Sequence, residues 1–391
     1  MTTSTSTNTE TETDAASDAR SAYAAFRPTY ALLADLLGRA PEETARALLR
    51  RCRAHTPTLS PLLISLLAAE GTALGSGALD ELSRARAKAA GYREIGDWAA
   101  ESGARTSKGP SLARRYPPEL LRPVGGLELV APTEAALWDV VIRLYRTYPV
   151  DEVKLSVLRI DGERHLYVGL YWPAADPLLD RSCNVEVTTF ALGGDGAAVP
   201  PRAVSPQDPA IADLLAVAEE RFKGEFTAKD LLDTALTLSP RHAPEPDRLV
   251  EQARRYLLAP ELRELIAVTR DRLALPDPLG ARASRELDEA ARRELERRAR
   301  PAGTADGPGR DRAQASVPAR LAAGLPVRGI PLGAPRLTDA AGARQLTLAG
   351  QPVLRSPIGD FLLVGGAKAD PDDYAAALAA SRGPETREAA R

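Results

Sequence analysis

The stretch Val153–Trp172, VKLSVLRIDGERHLYVGLYW, decides how the chain is read. Two runs rich in β-branched, leucine and aromatic residues flank Asp161-Gly162. That dipeptide suits a type I′ turn, whose central residues both need positive φ. A two-residue loop fixes the register. Ile160 faces Glu163, Val157 faces Leu166, Leu155 faces Val168, and Val153 faces Leu170. The last three pairs are wholly apolar and share one face, because side chains alternate along a strand. Turn chemistry and hydrophobic alternation therefore give the same hairpin.

Reading outward, Leu127–Val130 is a short strand, and Thr133 caps a helix with Leu137, Val141 and Leu144 on one side. Pro149 ends it. Cys183, Val185 and Val187 form a third strand beyond the hairpin. The order is β-α-β-β-β, an antiparallel-rich sheet with at least one covering helix. A Gly/Pro loop at 193–208 precedes helical stretches over 209–300. In the last of these, Glu289 with Arg293 and Glu294 with Arg298 have the i,i+4 spacing of an exposed helix. Residues 126–300 thus read as an α+β domain with C-terminal helices.

The flanks read differently. Residues 1–20 form an acidic, Thr-rich tail with the composition of a disordered segment. Residues 21–103 form a helical bundle around stripes such as Leu59, Leu62, Leu63, Leu66 and Leu67. Residues 104–125, with Pro110, Pro117, Pro118, Pro123 and several arginines, read as a linker. A second linker spans 301–318. Residues 319–383 read as a small β-rich module, with strands at Gln345–Leu348, Val353–Arg355 and Phe361–Val364. Asp370-Pro371 opens its terminal helix. Residues 384–391 are a frayed tail. The fold class is α+β, multidomain.

Composition narrows the function. The 391 residues carry 51 basic and 53 acidic side chains, net charge −2, so no global field favours nucleic acid or anionic lipid. All but six of the basic residues are arginines. The two cysteines, Cys52 and Cys183, exclude a disulfide framework. With three histidines in all, Cys52 and His55 make half of a zinc pattern with no second half, so no metal site is expected. No segment has the apolar length of a membrane span, and the N-terminus lacks a signal sequence. These features point to the cytoplasm. Phosphate-loop, dinucleotide-binding, nucleophile-elbow, zinc-protease and kinase patterns are all absent, and no cofactor is implied.

Two residue groups carry the functional expectations. The first is the polar row of the hairpin and third strand: Lys154, Ser156, His165, Tyr167, Tyr171, Asn184 and Glu186. Such a row on a rigid sheet suits ligand or partner binding, or acid–base chemistry. Leu158 and Ile160 share its face near the turn. The second is the basic segment 84–122, with Arg105, Lys108, Arg114 and Arg115 as phosphate contacts. There Ala99 and Gly103 have helix-turn-helix spacing, though Gly109-Pro110 falls inside the would-be recognition helix. Missing catalytic motifs lean the reading away from an enzyme. The leading expectation is a non-enzymatic interaction, assembly or regulatory protein that binds another protein and no membrane. A DNA-associated regulator using 84–122 comes second. An enzyme or small-ligand binder using the sheet face comes third.

Overall fold

The computed structural model describes residues 17–122, 124–300, 315–366 and 368–382. The expected tails lie almost wholly outside these residues, as does most of the linker expected at 301–318. The protein is mixed α+β. Its chain divides into two compact units, one of Met1–Gly91, Ser107–Gly125 and Ser205–Pro301, the other of Tyr92–Thr106, Gly126–Val204 and Ala302–Arg391.

The first unit is helical. Residues 17–25 are helix α1. Then follow α2 (Tyr30–Leu36), α3 (Ala45–His55), α4 (Ser60–Ala69), most of α5 (Ser76–Ala99) and the short α6 (Gly109–Ala113). After residue 205 come α8 (Pro209–Glu219), α9 (Ala228–Thr237), α10 (Pro246–Tyr256), α11 (Ala259–Leu273) and α12 (Gly280–Ala299). Thr29, Thr44, Asp208 and Thr227 cap α2, α3, α8 and α9 by accepting backbone N–H bonds. Helix α4 is buried continuously from Leu62 to Leu67. A helix that is apolar all round belongs inside. Leu62, Leu63 and Leu66 share one core with Leu33, Leu48, Cys52, Tyr116, Leu120, Leu232 and Leu236. Helix α9 thus packs into the N-terminal core, and the helices after 205, assigned from sequence to the sheet domain, belong to this helical unit instead.

The Pro/Arg-rich segment expected to be a linker is docked in this unit. Arg122 is 3 % exposed. It makes a bidentate pair with Asp233, Nε to Oδ1 at 2.8 Å and Nη2 to Oδ2 at 2.7 Å, and donates to the Gly109 carbonyl at 3.1 Å. The Tyr116 hydroxyl donates to the same carboxylate at 2.9 Å. Arg115 pairs with Asp213 at 2.7 Å and donates to Thr237 Oγ1 at 3.0 Å, while Ser111 donates to Asp213 at 2.7 Å. Lys108 pairs with Glu220. Burial costs these charges their hydration, and the fork geometry of arginine recovers much of that loss by satisfying both carboxylate oxygens.

The second unit is built on one mixed sheet. Its strands are β1 (Arg105–Ser107), β2 (Leu127–Val130), β3 (Glu152–Ile160), β4 (Glu163–Trp172), β5 (Cys183–Thr188), β6 (Val327–Pro331), β7 (Arg344–Leu348), β8 (Gln351–Ser356) and β9 (Gly359–Val364). The spatial order is β1-β2-β5-β4-β3-β6-β9-β8-β7. The hairpin forms at the register read from sequence, with Ile160 opposite Glu163 and Leu155 opposite Val168. Asp161 has φ 52° and Gly162 φ 85°, as a type I′ turn demands. β5 runs antiparallel to β4, and β2 parallel to β5. Val153, Leu155, Val157, Leu166, Val168, Leu170, Val185 and Val187 form a buried apolar face. Helix α7 (Glu134–Thr147), capped by Thr133, packs on β4 and β5 and buries Leu137, Val141 and Leu144.

The C-terminal strands extend this sheet and do not stand apart as a separate module. β6 pairs antiparallel with β3, placing Leu155 opposite Gly329, and β9 pairs with β6. Glu134 of α7 accepts the Ala343 N–H at 3.1 Å, and Arg164 of β4 donates to the Ala343 carbonyl at 2.7 Å. Helix α13 (Val317–Ala322) precedes β6. Helix α14 (Pro371–Ser381), capped by Asp370 as its sequence predicts, forms a core with Val353 and Leu362 through Ala377. Directly opposed residues share a face, and Leu362 and Val353 are one residue out of phase with the row of Leu155, Gly329 and Leu363. Helix α14 therefore covers the opposite face from that row.

Two stability outcomes follow from this packing. Leu155→Ala or Leu166→Ala should cost about 2–5 kcal/mol by leaving a cavity, against roughly 0.5 kcal/mol for Ser156→Ala in the other row. Urea denaturation of the three variants checks the contrast, and equal losses would contradict it. Arg122→Ala should cost about 3–5 kcal/mol because Asp233 stays buried without its cation, whereas the apolar Arg122→Met paired with Asp233→Leu should cost less than that single change. The same denaturation curves decide whether the pairing matters in this way.

Candidate functional site

The turn register decides which side chains meet on the polar side of the sheet. Ser156 opposes Tyr167, Lys154 opposes Gly169, and Tyr171 opposes Asn184. Glu186 opposes Gly169 from the other side. Gly169 is thus flanked in its own strand by two tyrosines and across the sheet by Lys154 and Glu186. A Cβ built at Gly169 would lie 2.9 Å from the Tyr167 hydroxyl and 3.2 Å from the Tyr171 ring. The missing side chain is what lets the two rings converge above the strand.

The result is a connected chain of polar groups. Lys154 Nζ sits 4.2 Å from the Tyr171 ring centroid, a cation–π distance, and 3.4 Å from Glu152. Tyr167 is hydrogen-bonded to both Tyr171 and Glu186. Burial pushes the Tyr167 phenol far above its ordinary range, and the Glu186 charge pushes the same way. For Lys154 burial works against the charged form, but the bond to Tyr171 and the charge of Glu152 prevail and raise it. At neutral pH the site therefore holds a protonated phenol and an ammonium. General acid–base work needs a group that titrates near the working pH. These two supply hydrogen-bond donors instead.

The sequence-derived row is only partly assembled. Lys154, Tyr167, Tyr171 and Glu186 come together. His165 does not join them: it is buried, and Nδ1 lies 2.9 Å from the Thr189 carbonyl and 3.2 Å from Thr189 Oγ1. Asn184 stands at the strand's end, where its backbone N–H donates to the Tyr92 hydroxyl at 3.0 Å and its side chain fills the space beside Gly126. Two residues escaped the sequence reading. Gly169 gave a signal in the pattern Tyr-x-Gly-x-Tyr, since a glycine inside a strand marks a close approach. Arg328, opposite Ser156 and exposed, gave none, because β6 was not expected beside β3.

The basic group is dispersed. Arg105 is exposed on β1, and Arg114 is exposed just after α6. Lys108 and Arg115 are held against Glu220 and Asp213, with their side chains 12 % and 8 % exposed. The helix-turn-helix expectation is corrected by β1: a strand at Arg105–Ser107 stands where the second helix would begin. The thiol of Cys52, one half of the zinc pattern weighed above, is raised by burial and contacts Thr56 at 3.5 Å. Among the described residues no group of three or more His, Cys, Asp or Glu could hold a metal ion, and no helix is long and apolar enough to cross a membrane.

No family model, curated protein or solved structure matches the chain.

The geometry sets a pH response. Tyr167 should ionise above the ordinary phenol range in a spectrophotometric titration, as should the buried Tyr23, Tyr92 and Tyr116, and Glu186→Gln should bring one of these delayed transitions down. A folded phenol held above the unfolded value of 10.0 adds stability below pH 10 that is lost as pH rises through that range. A Glu186→Gln titration identical to that of the parent would contradict the contact between that carboxylate and the phenol.

Proposed function

We propose that the chain is a non-enzymatic, cytoplasmic interaction protein that binds another protein through the polar face of β3, β4 and β5. The observation that carries this reading is the convergence of Tyr167 and Tyr171 over Gly169, with the half-exposed Lys154 laid against the second ring. Tyrosines present a rigid apolar body with a polar tip, and they recur at the energetic centres of protein interfaces. Lys154 and Arg328 add cationic donors around them, so an acidic group on the partner suits this face. The protonated phenol, the held ammonium and the engaged His165 favour binding over turnover. The nucleic-acid reading gains nothing from Lys108 and Arg115, whose charges are already matched inside the first unit.

The test is affinity capture with the full chain as bait, beside a Lys154→Ala, Tyr171→Ala double variant of the same thermal stability. A protein bound by the parent and reduced at least about tenfold on the variant supports the reading, since interfacial tyrosine truncations commonly cost more than 1 kcal/mol. Identical capture by the two baits would rule this face out as the binding surface.

A further inference from the structure

β7 closes one end of the sheet, and no strand among the described residues lies beyond it. The opposite end is β1, which is only three residues long. Short edges are poor templates for pairing, whereas long regular ones are good templates. β7 runs beside β8 without a bulge, from Arg344 opposite Arg355 to Leu348 opposite Gln351. It contains no proline and a single charge, Arg344, at its start.

The turn fixes which backbone groups face outward. Ala349 has φ 49° and Gly350 φ 81°, the two positive values of a type I′ turn. Leu348 and Gln351 therefore form the hydrogen-bonded pair that closes the hairpin, and pairs alternate from there. Leu346 and Arg344 bond inward to β8. The N–H and C=O groups of Gln345 and Thr347 point out of the sheet, and both residues are exposed.

We propose that β7 pairs antiparallel with β7 of a second copy of this chain, about a two-fold axis at Leu346. Gln345 of each copy then meets Thr347 of the other, and the outward groups form four main-chain hydrogen bonds with none left over. Charge complementarity selects a second copy over an arbitrary extended peptide. Leu346 belongs to the core under α14, so Arg344, two residues away, lies on the face that α14 covers. The acidic first turn of α14 sits at the other end of the hairpin, where Asp373 accepts from Gln351 Nε2 at 2.7 Å. The two-fold axis exchanges these ends. Arg344 of one copy is brought across from Leu348 of the other, on the same side as that copy's exposed Asp372.

Sedimentation equilibrium of the full chain over a dilution series tests the pairing. The expected result is a reversible dimer. Thr347→Pro removes an outward donor without touching the bonds to β8, and it should weaken the dimer roughly tenfold to a hundredfold. Arg344→Asp should also weaken it, and adding Asp372→Arg should restore it. Circular dichroism confirms that each variant folds. A parent chain monomeric at every concentration would overturn the proposal. So would a dimer indifferent to Thr347→Pro, or one that the charge exchange fails to restore.

Discussion

The second unit depends on the register between β3 and β4. Asp161 takes a positive φ, a strained choice for a residue with a Cβ, and with Gly162 it sets which residues stand opposite each other. A slip of one residue would turn Lys154 and Ser156 toward α7 and expel Val153, Leu155 and Val157. The constraint then travels sideways, because opposed residues in an antiparallel pair share a face. It passes from β4 to β5 through Leu170 and Val185, and from β3 to β6 and β9 through Leu155, Gly329 and Leu363. The polar cluster around Gly169 and the surface on which α14 packs both inherit their side of the sheet from that turn.

What could be read in the sequence was what is encoded locally. The hairpin was legible because its turn and its alternation are neighbours in the chain. The start of α14 was legible because Asp370 caps the very next turn. The pairing of β6 with β3 was not legible. Val327–Pro331 contains Gly329 and Pro331 in a five-residue run and lies more than 160 residues from its partner strand. Strand propensity marks a segment as extended but does not name its neighbour. For the same reason the sequence groups the helices after 205 with the sheet they follow, not with the helical unit in which α9 helps bury the α4 leucines.

The arginines show the limit from another side. Residues 104–125 have the composition of a linker and the charge of a phosphate-binding strap. Both impressions come from counting charges without their counter-charges. Asp213 and Asp233 lie 98 and 111 residues beyond Arg115 and Arg122. Each sits in a helix where an acid reads as a surface residue. Burial changes what such a charge means. Once Arg122 is desolvated, its value lies in the fork that satisfies Asp233 and in the carbonyl of Gly109, and it is spent on holding the segment in place.

The candidate site was legible in its residue types and its face, but its centre was misplaced. A histidine attracts a chemical reading because it titrates near neutral pH. His165, however, stands at the turn end of the row, opposite Leu158, and is committed to Thr189. The centre lies four residues on, at a glycine with no functional group of its own. Its contribution is space. Two phenols that would otherwise stand side by side along a strand can lean together over it, and Lys154 and Glu186 close the chain from the neighbouring strands. Burial and the Glu186 charge keep the Tyr167 phenol protonated, and the bond to Tyr171 with the charge of Glu152 keeps Lys154 cationic. A surface arranged in this way is stiff and fixed in charge, which suits recognition of a shape and a sign and gives little purchase for moving a proton.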